Sequence, residues 1–96
     1  MDNLLIIKEI IKEQSLIIGE SLARVRAEQS GAVKFNSKKL EDISLIMEVP
    51  ISIEKLINSY AEIFGRASVE VCLDVIRRYS STDLLATIPS SVKEML

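Results

Sequence analysis

The 96-residue chain has no histidine and no tryptophan, one cysteine, two prolines and three glycines. Without histidine it lacks the side chain that most often serves as a general base near neutral pH, and the commonest metal ligand. Cys72, being alone, forms no internal disulfide and supplies no zinc set. Pro50 and Pro89 are the only prolines, so little interrupts regular structure, and the abundance of Leu, Ile, Glu and Lys points to helices. No uncharged apolar run approaches the roughly 20 residues of a membrane span. The opening MDNLLIIKEIIKE meets Lys8 and Glu9 soon after its first apolar residues, which is unlike a secretory signal. These absences lead us to expect a cytoplasmic protein with no membrane partner.

What is present is 48% hydrophobic and strongly patterned. A segment from about 3 to 29, with Asp2 or Asn3 as its N-cap, carries Leu4, Ile7, Ile11, Ile18, Leu22 and Val25 on one helical stripe. Leu5 or Ile6, Ile10 and Ile17 form a second stripe beside it, so this helix needs cover on more than one side. Ser30 and Gly31 end it. A short helix over about 37–48 follows, with Leu40, Ile43 and Met47 inward and Pro50 as its stop. Ser52 then caps a long helix over about 53–79, whose apolar face includes Ile53, Leu56, Ile57, Tyr60, Ile63, Phe64, Val71, Cys72, Val75 and Ile76. On its polar face Glu62 with Arg66 and Asp74 with Arg78 stand in the favourable i, i+4 order. A turn or two around Asp83 to Ala86 precedes a last short helix over about 91–96, opened by a capping box at Ser91 and Glu94.

The predicted class is therefore all-α, one domain built as a small helical bundle of two long antiparallel helices plus two or three short ones. A chain of this length buries only about 60–65% of the surface its unfolded form exposes. Residues Ile6, Ile10 and Ile17 are surplus to what one such hairpin covers. That surplus predicts a homodimer, or failing that a complex with another protein, through those three side chains.

Two glycines stand inside the long helices, in LIIGESLA and EIFGRASV, where each costs about 0.8–1.0 kcal/mol relative to alanine. Ser15, Gly19, Ala23 and Ala27 make a ridge of small residues on the first helix, and Ala61, Gly65 and Ser68 a shorter one on the third. Rows four apart interdigitate where helices cross, so these residues predict a close crossing. The alternative is that each glycine breaks its helix in two. Setting Ile7 on Ile53 aligns Ile10 with Leu56, Ile11 with Ile57, Gly19 with Gly65 and Val25 with Val71. The two halves thus solve one packing problem, although few identities link them.

Nothing in the chain composes a catalytic set, a metal site or a cofactor fingerprint, and a non-enzymatic module is expected. Glu9 and Glu13 share a helix face as solvated carboxylates, and Cys72 sits among apolar residues where a free cysteine behaves as a small hydrophobe. Charge is unevenly spread: residues 24–39 carry a net +4 and residues 40–76 a net −5. Arg24, Arg26, Lys34, Lys38 and Lys39 form the basic patch, suited to an acidic surface.

KLEDISLIMEVPISIEKLINSY (39–60) resembles the helix-turn-helix of many transcription regulators, with a helix, a tight turn and a second helix. The resemblance implies a DNA-binding role for the second helix. Its exposed positions, Glu54, Lys55, Asn58 and Glu62, lie in the acidic window, so phosphate repulsion disfavours nucleic acid as the partner.

Overall fold

The structure is a computed structural model that describes residues 3–79, 86 and 88–95. It is predominantly helical. Helix α1 runs Asn3–Ile18 and α2 Glu20–Gln29; strands β1 (Val33–Phe35) and β2 (Ile43–Leu45) follow; α3 spans Val49–Phe64, α4 Arg66–Tyr79 and α5 Ser90–Lys93. The expected N-cap Asp2, the turns around Asp83 and the terminal Leu96 lie outside the described residues.

Neither long helix is continuous. Both stop at their glycine, Gly19 with φ 89° and ψ 153°, Gly65 with φ 56° and ψ −131°. These are conformations that a Cβ disfavours, and the first belongs to a region populated almost only by glycine. A Cβ built on Gly19 would meet nothing within 4 Å, and one on Gly65 only the Ala61 carbonyl oxygen at 4.0 Å. The close crossing through the glycines is therefore corrected: they turn the chain, and no neighbouring helix presses on them. An unbroken helix of about 27 residues would measure about 40 Å, longer than the 32 Å of the whole molecule.

The two turns match atom for atom. Gly19 N donates to the Ser15 carbonyl at 3.0 Å and Gly65 N to that of Ala61 at 2.7 Å. Beyond each glycine, Ala23 N reaches Gly19 O at 3.0 Å and Val69 N reaches Gly65 O at 3.3 Å. Each half of the chain is a helix, a glycine elbow and a second helix. The halves interlock, α1 lying on α4 and α2 on α3, while α1 also touches α2 and α3.

This arrangement makes α1 the central helix. Ile6, Ile7, Ile10 and Ile11 are all fully buried, as are Ile53, Leu56 and Ile57 at the matching positions of α3. Each such side chain contributes about 1.5–3 kcal/mol of burial. The second stripe of α1 is covered from within the chain, which removes Ile6 and Ile10 from any oligomer interface; Ile17 remains 41% exposed. Because the chain turns at Gly19, α2 directs Ala23 and Ala27 inward and leaves Leu22 and Val25 outside, although all of them would share a neighbourhood with α1's stripe on a straight helix.

The predominantly helical chain is broadly consistent with the expected all-α class, but the connection is not the short helix expected over 37–48. It forms instead an antiparallel hairpin with Val33 opposite Leu45, Lys34 opposite Ser44 and Phe35 opposite Ile43. Val33, Phe35 and Ile43 point into the core, with Lys34 and Ser44 outward, the period-two alternation of a half-buried strand. Pro50 does not close a helix but sits in the first turn of α3, where a missing N–H costs no hydrogen bond. Ser52 is consequently inside the helix, its hydroxyl donating to the Met47 carbonyl at 3.2 Å. At the carboxy-terminal end α5 begins after Pro89 without a side-chain cap. Ser91, instead of closing a capping box with Glu94, donates to the Glu54 carboxylate. Ile88 and Val92 bury themselves on the bundle, while Met95 stays 37% exposed.

Gly19→Ala is expected to cost about 1–3 kcal/mol from backbone strain alone. Gly19→Leu should cost no more than the alanine variant, because the site is open. Urea denaturation of both variants measures the difference; a large extra loss for leucine would restore the close-crossing explanation.

Candidate binding surfaces

The elbows place two side chains at equivalent depth on α1 and α3, and both brace the opposite half. Gln14 Nε2 donates to the Ser68 carbonyl at 2.8 Å and to Cys72 Sγ at 3.3 Å. Tyr60 Oη donates to the Ala23 carbonyl at 2.8 Å, and Ser59 Oγ to that of Arg26 at 2.8 Å. Of the small-residue ridges, Ala23, Ala27 and Ser68 are fully buried in these helix contacts, whereas Gly19 and Gly65 are exposed and Ser15 and Ala61 half-buried. Small side chains on α2 leave room for the Tyr60 ring to reach a backbone oxygen.

The Gln14 amide orientation follows from its partner, since a carbonyl accepts only from the nitrogen. Its Oε1, like Ser68 Oγ, is buried and finds no hydrogen-bond partner among the described residues. Burial pushes the Cys72 thiol from 9.0 up to about 12, against a smaller lowering by the Gln14 amide. Burial first, and then the neighbouring Cys72, raises Tyr60 above its ordinary value. Both groups are held neutral and inward, braces and not reactive centres. Among the described residues no three of Asp, Glu, Cys and His gather as a metal-binding group.

The basic patch is redistributed by the hairpin. Arg24 lies over the Phe35 ring at 4.7 Å from its centroid, donates to the Ser37 carbonyl and stands 4.0 Å from Glu28. Arg26 pairs with Glu62 at 2.9 Å. Glu62 thus does not pair with Arg66, because the Gly65 elbow intervenes; Arg66 turns to Glu70 at 3.8 Å, while Asp74 and Arg78 meet at 3.1 Å as their spacing predicts. Lys34 is exposed on β1, apart from Lys38 and Lys39.

Lys38 and Lys39 instead line, with Lys8 and Lys12 of α1, a cleft of about 390 Å³ whose lining also includes Glu20, Leu40 and Glu41. Sequence reasoning missed Lys8 and Lys12, whose only signal is their i, i+4 spacing on one face of α1. A second surface is apolar: Leu16 is 74% exposed and Val25 46%, with Ile17, Leu22 and Phe64 also standing out from the elbows. No helix-turn-helix forms over 39–60, because the residues before α3 are a turn and strand β2.

No family model, curated protein or solved structure matches the chain. Among the described residues no helix is long and apolar enough to cross a membrane.

Tyr60→Phe is expected to cost about 1 kcal/mol, the net value of its hydrogen bond. Gln14→Met should cost less, since it also removes a buried oxygen without a partner. Urea denaturation of the two variants tests the order. A pH series gives an independent check: the unfolded chain releases the Cys72 proton near pH 9, while the folded chain keeps it until about 12. The stability associated with the neutral thiol is full below pH 9 and is lost as pH rises towards 12. The urea midpoint should fall above pH 9, and less steeply in Cys72→Ala.

Proposed function

We propose that this chain is a non-enzymatic interaction module that associates with a second copy of itself through the apolar surface at its first elbow. The observation that carries this reading is the exposure of Leu16, Ile17, Leu22 and Val25 on either side of Gly19, at 74%, 41%, 39% and 46%. Four large exposed apolar side chains within residues 16–25 depart from the scattered single ones that are ordinary on a surface, and grouped apolar exposure marks interaction sites. Helices α1 and α2 present them on rigid elements next to a constrained turn, a stable platform for docking. Residues 16–25 carry one acid, Glu20, and one base, Arg24. With no net charge, such a face meets its own copy without repulsion, and an isologous contact of this kind is the commonest closed assembly.

The interface differs from the one the hydrophobic pattern suggests. Ile6 and Ile10 hold the monomer together, and Ile17 alone of the three is available outside. Dimerisation in this reading adds to a chain that already has its own core, so the monomer remains folded when the contact is lost.

Light scattering behind size exclusion, over a dilution series, is expected to give twice the chain mass at high concentration and the monomer mass on dilution. Leu16→Glu and Val25→Glu should each yield a folded monomer throughout, with unchanged helix content. A wild-type chain that stays monomeric at the highest concentration overturns the proposal.

A further inference from the structure

The lysine-lined cleft between α1 and the hairpin loop adjoins the first elbow, since Glu20 lines it, but it has a chemistry of its own. Lys8 and Lys12 stand one turn apart on α1, and the loop joining β1 to β2 brings Lys38 and Lys39 against them. Like charges at i, i+4 repel, and two more cations in the same cleft add to that repulsion. Every ion pair among the described residues is made by an arginine, through Arg24, Arg26, Arg66 or Arg78. None of the four cleft lysines has a carboxylate within pairing distance among those residues. Glu20 and Glu41, which line the same cleft, leave it a net +2 in a chain whose net charge is −2.

The loop holds its lysines in place. Asn36 N donates to Asp42 O at 2.8 Å, Asp42 N to Lys39 O at 3.2 Å and Lys39 N to Ser37 Oγ at 3.2 Å. Arg24, stacked on Phe35, ties the Ser37 carbonyl to α2. Leu40, between the charged walls, packs against the core and anchors the loop from below. Four lysines on two pinned elements, lining one cleft of about 390 Å³, can bring their ammonium groups to a compact multivalent anion.

We propose that this cleft binds a small soluble molecule carrying a di- or triphosphate group, with Lys8, Lys12, Lys38 and Lys39 as its ligands. Ammonium groups bind phosphate as point charges and need no bidentate fit, which suits lysine here. The cleft's volume of about 390 Å³ suits a compact anion better than an extended strand, and Glu20 and Glu41 in its lining repel phosphates that no lysine pairs with.

The test is calorimetric titration of the full chain with pyrophosphate and with tripolyphosphate at fixed ionic strength, alongside amide chemical-shift mapping. Binding is expected to perturb the amides of Lys8, Lys12 and Lys38 to Glu41, and to weaken as sodium chloride is raised. Lys8→Gln combined with Lys39→Gln should weaken it by about tenfold or more, equivalent to about 1.4 kcal/mol, without altering the fold. Lys55→Gln, on α3 away from the cleft, should leave it unchanged. Three results overturn the proposal: no binding beyond that of chloride and sulfate, equal weakening by Lys55→Gln, or a single-stranded oligonucleotide that binds through the same lysines more tightly than either phosphate.

Discussion

At φ 89° and ψ 153° a side chain of L configuration collides with its own backbone, so only glycine holds the Gly19 elbow without strain. The tertiary arrangement follows from that backbone freedom and its counterpart at Gly65. Each elbow ends a helix, redirects the chain and starts a second helix at a new angle. Two straight helices would have formed an extended hairpin with one face of α1 bare. Two bent ones wrap around each other, and Ile6, Ile7, Ile10 and Ile11 become a shared interior.

The contacts that hold the halves together are consequences of the same bend. Once α2 lies on α3 and α4 on α1, the side chains one turn before each elbow oppose backbone carbonyls of the other half. Gln14 and Tyr60 occupy that place and donate to Ser68 and Ala23. Alanines at 23 and 27 are small for a packing reason after all, though the surface they accommodate belongs to α3 and not to a helix crossing at the glycines. The buried polar cluster of Gln14, Cys72, Tyr60 and Ser68 lies along this seam, sealed from solvent, and that burial raises Cys72 and Tyr60 above their ordinary values.

What is left outside the core divides by charge and by element. Of the apolar residues near the first elbow, Leu22 and Val25 are those that α2 does not turn inward when Ala23 and Ala27 take the buried positions, and Leu16 and Ile17 stand at the end of α1. The lysines collect where the hairpin loop comes back to α1. The arginines are spent locally, on Phe35, on the loop and on acidic neighbours. A basic stretch that looks uniform along the chain is therefore split in space, its arginines structural and two of its lysines joined by Lys8 and Lys12.

Much of the fold was legible from spacing. The apolar stripes of 3–29 and 53–79 marked the helical segments, and the alignment of Ile7 with Ile53 through Gly19 with Gly65 marked the repeated plan. The hairpin was less visible, because Val33 to Phe35 and Ile43 to Leu45 are runs of three residues, too short for period two to be separated from a helical spacing of Leu40, Ile43 and Met47. Pro50 was equally ambiguous, since proline both ends one helix and opens another. By itself the sequence determined that the chain is mainly helical, which residues are apolar enough to be buried, and where backbone freedom is available. Whether that freedom served a crossing or a turn, which stripe of α1 met which partner, and which lysines came to share a cleft were decided by tertiary packing. The physical reason is that periodicity records a residue's face on its own element, whereas the direction of the next element depends on backbone angles satisfied only when the whole core closes.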